Sequence, residues 1–300
     1  MKNRQALVAL ATAGAIWGLT VPLSKLALDT AGPAWLTVIR FALAAPLLAL
    51  AGRRHLRAAL TPSVLATGAL GFGAVILLQN AGIEQTSVSH AAVIVGTVPV
   101  LVALIAAATS RTRATRQAWL GYLVALLGVT LVAGAAARNA TTTGDLLVLA
   151  SAALSAVFIA LQPRLLARRD PAAVTAVQFA AGALVSLPVA LIAQGAPPPI
   201  HDATAILPVL ALALPGTLLP FWLFAYGQAR VGAELAGAFV NLEPLVGAAA
   251  GWLVFRDPAA PSQLAGAAAI IVGILLSSAP PLARPRLPRL ELSWRPAEGR

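Results

Sequence analysis

Shifting this sequence by 145 positions brings five helix-shaping residues onto their own kind: Gly71 onto Gly216, Gly82 onto Gly227, Pro99 onto Pro244, Gly121 onto Gly266 and Gly128 onto Gly273. Gly and Pro supply 24 and 22 of the 300 residues. Composition alone therefore predicts about one or two such matches, and a register sustained this far signals an internal duplication. Five apolar spans separate equivalent points. If each crosses a membrane, an odd number of crossings reverses direction, and the second copy threads the bilayer upside down. Inverted repeats of this kind are an architecture of secondary transporters.

The membrane reading rests on block length. Apolar blocks of about 17 to 25 residues suffice to cross roughly 30 Å of hydrocarbon as helices. Only 10% of the residues are charged, against about 25% in soluble domains, and the mean hydropathy is +0.85. Lipid gives the backbone no hydrogen-bond partner, so each block must be a helix; strand alternation is absent, which argues against a barrel. The spans fall at about 5–26, 34–52, 63–82, 90–109, 117–134, 144–163, 172–193, 204–227, 234–254 and 263–281. The expected fold is an all-α integral membrane protein of ten transmembrane helices in two inverted five-helix repeats, residues 1–143 and 144–283. A Pro- and Arg-rich disordered cytoplasmic tail follows at 284–300. The first block is longer than the core of a signal peptide and holds Trp17 and Pro22, so it reads as a retained span. The chain has no cysteine, which removes disulfide and thiol chemistry.

The formal charge of +11 invites a nucleic-acid partner, but its placement points to lipid. With the N-terminus in the cytoplasm, 17 of the 21 Lys and Arg residues fall in cytoplasmic segments. Arg138 and Arg256 fall outside; Lys25 and Arg40 fall in or at the edge of spans. This asymmetry sets both termini in the cytoplasm of a multi-pass protein of the cytoplasmic membrane. Gly14 with Gly18, and Gly247 with Gly251, sit four apart on helix faces, a spacing that serves packing within the chain or a homodimer face.

Charge inside a span needs a reason. Glu243 lies near the centre of span nine, beside Asn241 and before Pro244. It reads as an ion-coupling or substrate-contact residue, with the proton as coupling ion, or as a fixed acid that bonds backbone groups freed by Pro244 or pairs with a buried cation. Arg40 in span two stays charged; it faces an anion or cavity, or else snorkels to the surface. Trp17, Gln79, Asn80, Trp222, Tyr226 and Asn241 are candidate cavity liners, an aromatic wall with a few polar groups suited to small organic solutes. Trp35, Trp119 and Tyr122 read as interfacial anchors; Gln162 and Gln178 read as helix-packing groups. Pro22, Pro99, Pro215, Pro220 and Pro244 are expected to bend or break helices. Spans three and eight, with Gly68, Gly71 and Gly73 in one and Pro208, Pro215, Gly216 and Pro220 in the other, are the corresponding bent helices expected beside a substrate pathway. There is no zinc-binding His pair on a helix, no Walker A loop and no Gly-x-Ser-x-Gly elbow. No metal, cofactor or catalytic residue is therefore assigned.

Five runs carry a family resemblance: "AIWGLTVPLSKLAL" at 15–28, "IRFALAAPLLAL" at 39–50, "WLGYLVALLGVTLV" at 119–132, "FVNLEPLVGAAAGWLVF" at 239–255 and "LAGAAAIIVGILL" at 264–276. They resemble EamA-type members of the drug/metabolite transporter superfamily. The resemblance implies ten helices, cytoplasmic termini, a cavity between the repeats and movement of metabolites. It also matches Trp17-Gly18, Arg40, Pro99 and Leu242-Glu243-Pro244 to positions of the family pattern. The fourth and ninth spans depart from the frequent Gly-Glu ending, with "ATSRT" and "VFRDP". The expected function is secondary transport of a small metabolite, amino acid or amphipathic drug by alternating access, in the export direction, as a monomer or homodimer. The alternatives are a nucleotide-sugar or lipid carrier, an intramembrane enzyme, and a non-transporting receptor or scaffold.

Overall fold

The computed structural model describes residues 2–28, 30–86, 91, 94–109, 115–133, 141–197, 203–243, 245–246, 249 and 261–278, and all the regular structure among them is helical. Pro244, Gly247, Gly251, the segment at 284–300, Arg138 and Arg256 lie outside the described residues. The helices are α1 (Lys2–Leu28), α2 (Pro33–Ala51), α3 (Pro62–Gln85), α4 (Val98–Thr109), α5 (Arg116–Ala133), α6 (Thr142–Leu166), α7 (Pro171–Gln194), α8 (residues 203–228), α9 (Ala233–Ala238, continued by a tight turn at Phe239–Asn241) and α10 (Pro261–Ser278). Among the described residues α2, α3, α6, α7 and residues 206–228 of α8 are long and apolar enough to cross a membrane, and α4, α5 and α10 hold shorter apolar helices. The outer faces are greasy, with Ile192 86% and Leu184 68% exposed, as suits contact with lipid tails.

Local chemistry sets the starts of several helices. Pro33, Pro62 and Pro171 occupy first turns, where a missing N–H costs nothing. Thr61, Thr141 and Asp170 cap with their side chains, accepting from Val64 N, Gly144 N and Ala173 N at 3.4, 3.0 and 2.9 Å, which satisfies otherwise orphaned donors. Pro99 likewise sits in the first turn of α4, starting that helix. Pro22 lies within the helical backbone of α1.

The bends expected in spans three and eight take a specific form. α3 carries a π-helical turn at Ala69–Ala74 and α8 carries one at Leu214–Leu218, starting 145 residues apart. In α8, Pro215 and Pro220 remove two N–H groups, and Thr217 Oγ1 donates to Leu212 O at 2.7 Å. A side chain thereby serves one carbonyl in the widened turn.

The glycines of the 145-residue register are sites of close helix contact, and the contacts come in exchanged pairs. A β-carbon on Gly121 would stand 2.6 Å from Gly273 O, and one on Gly128 would stand 2.6 Å from Gly266 O. Gly121 and Gly128 lie on α5; their register mates Gly266 and Gly273 lie on α10. Each glycine thus faces the mate of the other. Gly82 packs on Val148 and Gly227 on Leu10; Gly71 packs on Phe158 and Gly216 on Thr20. Val148 and Leu10 are 138 residues apart, as are Phe158 and Thr20. The same spacing relates Pro33-Ala34, Thr37 and Phe41-Ala42 on α2 to Pro171-Ala172, Thr175 and Phe179-Ala180 on α7. Phe41 and Phe179 meet at 5.0 Å between ring centroids. Gly14 is used inside the chain, against Phe239 O and Leu242.

Candidate functional site

A cavity of about 120 Å³ lies where α1, α2, α3, α4, α6, α8 and α9 converge, several times the room one water needs. Its lining comes from the later parts of α1 and α3, the early part of α2, the middle of α6 and the later part of α8. Phe158, Phe221 and Phe224 form an apolar wall. Phe158 and Phe221 each pack edge-on to Phe72, at 5.2 and 5.0 Å. The polar wall comprises Thr20 and Ser24 of α1, Gln79 and Asn80 of α3, and Ser151 and Ser155 of α6. Arg40 and Glu243 bring opposite charges to the same space.

The structure brings five of the eight sequence-selected residues together: Trp17, Arg40, Gln79, Asn80 and Glu243 all line the cavity. Arg40 is only 6% exposed, so it does not snorkel. Its Nε donates to Thr217 Oγ1 at 2.9 Å, and the π-helical turn of α8 presents that hydroxyl. A guanidinium carries five N–H donors, so one bond fixes its orientation and leaves capacity for an anionic group. Trp17 packs against Phe221 and Phe224 at 4.9 and 5.0 Å, and its indole N–H is buried without a partner. Asn80 Nδ2 donates to Thr37 Oγ1 at 3.0 Å and Pro33 O at 3.4 Å, tying α3 to α2 at the edge of the cavity.

Three residues fall elsewhere. Trp222 and Tyr226, expected in the cavity, line a shallow groove with Arg4, Gln5, Val8 and Thr12. Helical rotation is the reason: Phe221 and Phe224 take the cavity face of α8, and Trp222 and Tyr226 turn toward the flank of α1. The Arg230 guanidinium lies 3.4 Å from the Tyr226 ring centroid. Asn241 is buried in the turn after α9, its side-chain oxygen unpartnered, and it is not among the residues that line the cavity. Tyr122, expected at an interface, is 2% exposed and packs beside Trp119.

The sequence reading omits Thr217, Ser24, Ser151 and Ser155. Hydroxyls are common in apolar helices, and their role depends on which face meets the cavity. Among the described residues no group of three His, Cys, Asp or Glu side chains is placed to hold a metal ion.

Replacing Asn80 by Leu removes the tie to Thr37 and Pro33. Interhelical hydrogen bonds in membranes contribute about 0.6 kcal/mol on average and up to about 1.7. The variant is therefore expected to lose roughly 1 kcal/mol in a reversible unfolding titration in mixed micelles, and an unchanged midpoint would show that the tie contributes nothing.

Comparison with known proteins bears on what this cavity serves. The sequence pattern of the EamA-like transporter family matches residues 4–134 and again residues 142–279. The chain belongs to the EamA-like transporter family. It is a membrane transporter of the drug/metabolite transporter superfamily and a multi-pass integral membrane protein. Among EamA relatives, a probable terminal-alkyne amino-acid exporter of Streptantibioticus cattleyicolor is 29% identical over 295 residues, covering 95% of this chain and 97% of that protein. An uncharacterized transporter of Archaeoglobus fulgidus is 24% identical over 275 residues, covering 90% and 97%. A solved crystal structure superposes with a TM-score of 0.79 at 20% identity, covering 91% of this chain and 96% of that one, and so shares the fold.

Proposed function

We propose that this EamA-family chain is a secondary transporter that exports a small polar metabolite across the cytoplasmic membrane by alternating access. In this reading ten spans form two inverted halves, residues 1–143 and 144–283, with both termini in the cytoplasm. The observation that carries it is the exchange pattern of the contacts. Gly121 with Gly273 and Gly128 with Gly266, Gly82 with Val148 and Gly227 with Leu10 are what a two-fold axis in the membrane plane would produce. The family match falling twice, at 4–134 and 142–279, supports the same division. A cavity where the two halves of such a bundle meet is suited to a carrier that opens it to each side in turn.

Arg40 and Glu243 in one cavity favour a cargo bearing both a carboxylate and an ammonium group. The amino-acid exporter among the relatives supports that class. The carboxylate of the cargo would take the free donors of Arg40; Glu243 would take the ammonium group or exchange a proton during the cycle. An intramembrane enzyme or a receptor draws no comparable support from the relatives.

The test is a screen in proteoliposomes, with and without a pH gradient, using α-amino acids, their amides and amphipathic cations. The expected result is that a zwitterionic solute accumulates only when the gradient is imposed. Glu243→Gln is expected to abolish the gradient dependence while leaving the protein folded. Transport by Glu243→Gln at the wild-type rate across a pH series would remove the coupling role.

A further inference from the structure

Next to the cavity, at the ends of α6 and α8 and the starts of α3 and α7, the bundle contains a second set of buried polar side chains. Gln162 of α6 and Gln178 of α7 form a reciprocal amide pair, each Nε2 donating to the other's Oε1, at 2.8 and 2.7 Å. Gln178 Nε2 also donates to Thr67 Oγ1 of α3 at 3.1 Å. Gln228, at the end of α8, donates to Ile159 O at 3.2 Å. Its own side-chain oxygen is buried without a partner, and so is Thr175 Oγ1 of α7. Gln162, Gln178, Gln228 and Thr175 are each 2% exposed or less. Buried oxygens without a partner are costly in an apolar bundle, and a second state that gave Gln228 and Thr175 partners would put them to use.

The duplication shows which use. At a spacing of 138 residues, Gln178 is the counterpart of Arg40, Gln162 of Ser24, and Thr175 of Thr37. Arg40 and Ser24 both line the open cavity. Arg40 also reaches across to Thr217, within the π-helical turn of α8, and Gln178 reaches across to Thr67, two residues before the π-helical turn of α3. One end of the bundle thus holds these positions apart around a space, and the other holds their counterparts together. Ala225 stands at the register position of Asn80, so Thr175 lacks the amide donor that Thr37 has.

We infer that Gln162, Gln178, Thr67, Thr175 and Gln228 are the wall of a second cargo chamber, closed in this state by the reciprocal amide pair. The inference rests on the alternating-access reading above. When α6 and α7 separate, the two glutamines lose each other and their amides turn to the hydrogen-bonding groups of the cargo and its water. The buried oxygens of Gln228 and Thr175 gain partners in the same step. The chamber offers amides and hydroxyls where the first offers a guanidinium, so an anionic group is held less firmly there than beside Arg40.

The absence of cysteine makes the test direct. Ala225→Cys reports on the closed half, since Ala225 is 3% exposed among Val64, Leu166 and Val177. Ile83→Cys reports on the open cavity. Each is labelled with a small maleimide in nanodiscs, with and without Gln178→Leu. Losing the amide bonds is expected to shift the population roughly tenfold toward the second chamber. Labelling of Ala225→Cys should rise by about that factor while labelling of Ile83→Cys falls. Gln178→Asn, whose shorter amide cannot span the gap, should shift both rates the same way by less, and it serves if the leucine variant does not fold. Unchanged rates, or both rates rising together as in general loosening, would overturn the inference. Reciprocal labelling in a protein that carries no solute in vesicles would support the chamber and sink the transport reading. Solute transport with labelling insensitive to Gln178 would do the reverse.

Discussion

Arg40→Gln is expected to lower solute transport in proteoliposomes by at least about tenfold while the protein remains folded. Arg40 is buried at the wall of the cavity, with its Nε fixed on Thr217 Oγ1 at 2.9 Å. A hydrogen bond to a charged group contributes about 1.5–3 kcal/mol, or roughly 10- to 100-fold in an equilibrium constant. Glutamine retains polarity and some reach but loses the charge and the planar fork. Arg40→Lys should fall between, because an ammonium keeps the charge and cannot reproduce the fork geometry. Thr217→Val should move in the same direction by less, by freeing the guanidinium from its orienting bond. The readouts are initial transport rates at several solute concentrations and a melting curve for each variant. A wild-type rate in Arg40→Gln would reduce Arg40 to a packing residue and return the anion-binding argument to nothing.

The second large effect concerns folding. Gly128→Ala is expected to destabilise the protein by about 1–3 kcal/mol, the range for overpacking a filled interface. The added carbon would stand 2.6 Å from Gly266 O and 2.7 Å from Ile270 N, and helix backbone cannot move aside as a side chain can. Gly273→Ala should cost a similar amount, because its surroundings repeat those of Gly128 across the exchanged pair, with Ala125 N at 2.6 Å. Gly237→Ala is the control, since its nearest neighbour would be Val102 Cγ2 at 3.5 Å, an ordinary contact. Reversible unfolding in mixed micelles measures all three. Equal midpoints for Gly128→Ala and Gly237→Ala would show that the close approach of α5 and α10 is not needed.

Much of the helical plan was legible because a bilayer leaves so few choices. Apolar length and the backbone's need for partners make each block a helix, and the predicted spans at 34–52 and 172–193 match α2 and α7 within about two residues. The π-helical turns at Ala69–Ala74 and Leu214–Leu218 fall in the spans singled out for their Gly and Pro content. The duplication was only half legible. The 145-residue register holds for the last three helices of each half, and the first two follow a spacing of 138. That second register was open to view in Pro33-Ala34, Thr37 and Phe41-Ala42 against Pro171-Ala172, Thr175 and Phe179-Ala180, but a search tuned to Gly and Pro under one shift passes over it.

The site was less legible, for a reason of geometry. Arg40, Glu243 and Trp17 stood out because charge and a mid-span indole are conspicuous in an apolar helix. Trp222 and Tyr226 stood out equally and belong to another groove, since a residue or two along a helix turns a side chain to a different face. The sequence by itself determined that the chain folds as apolar helices, several of membrane length, with Gly, Pro and Phe recurring at fixed spacings and a few charges in apolar surroundings. Only the tertiary structure decided which face of each helix meets the cavity, that Thr217 orients Arg40, and that Gln162 and Gln178 bond to each other. The first set follows from solvent and backbone chemistry, which act residue by residue; the second depends on rotations and distances between helices, which no single segment encodes.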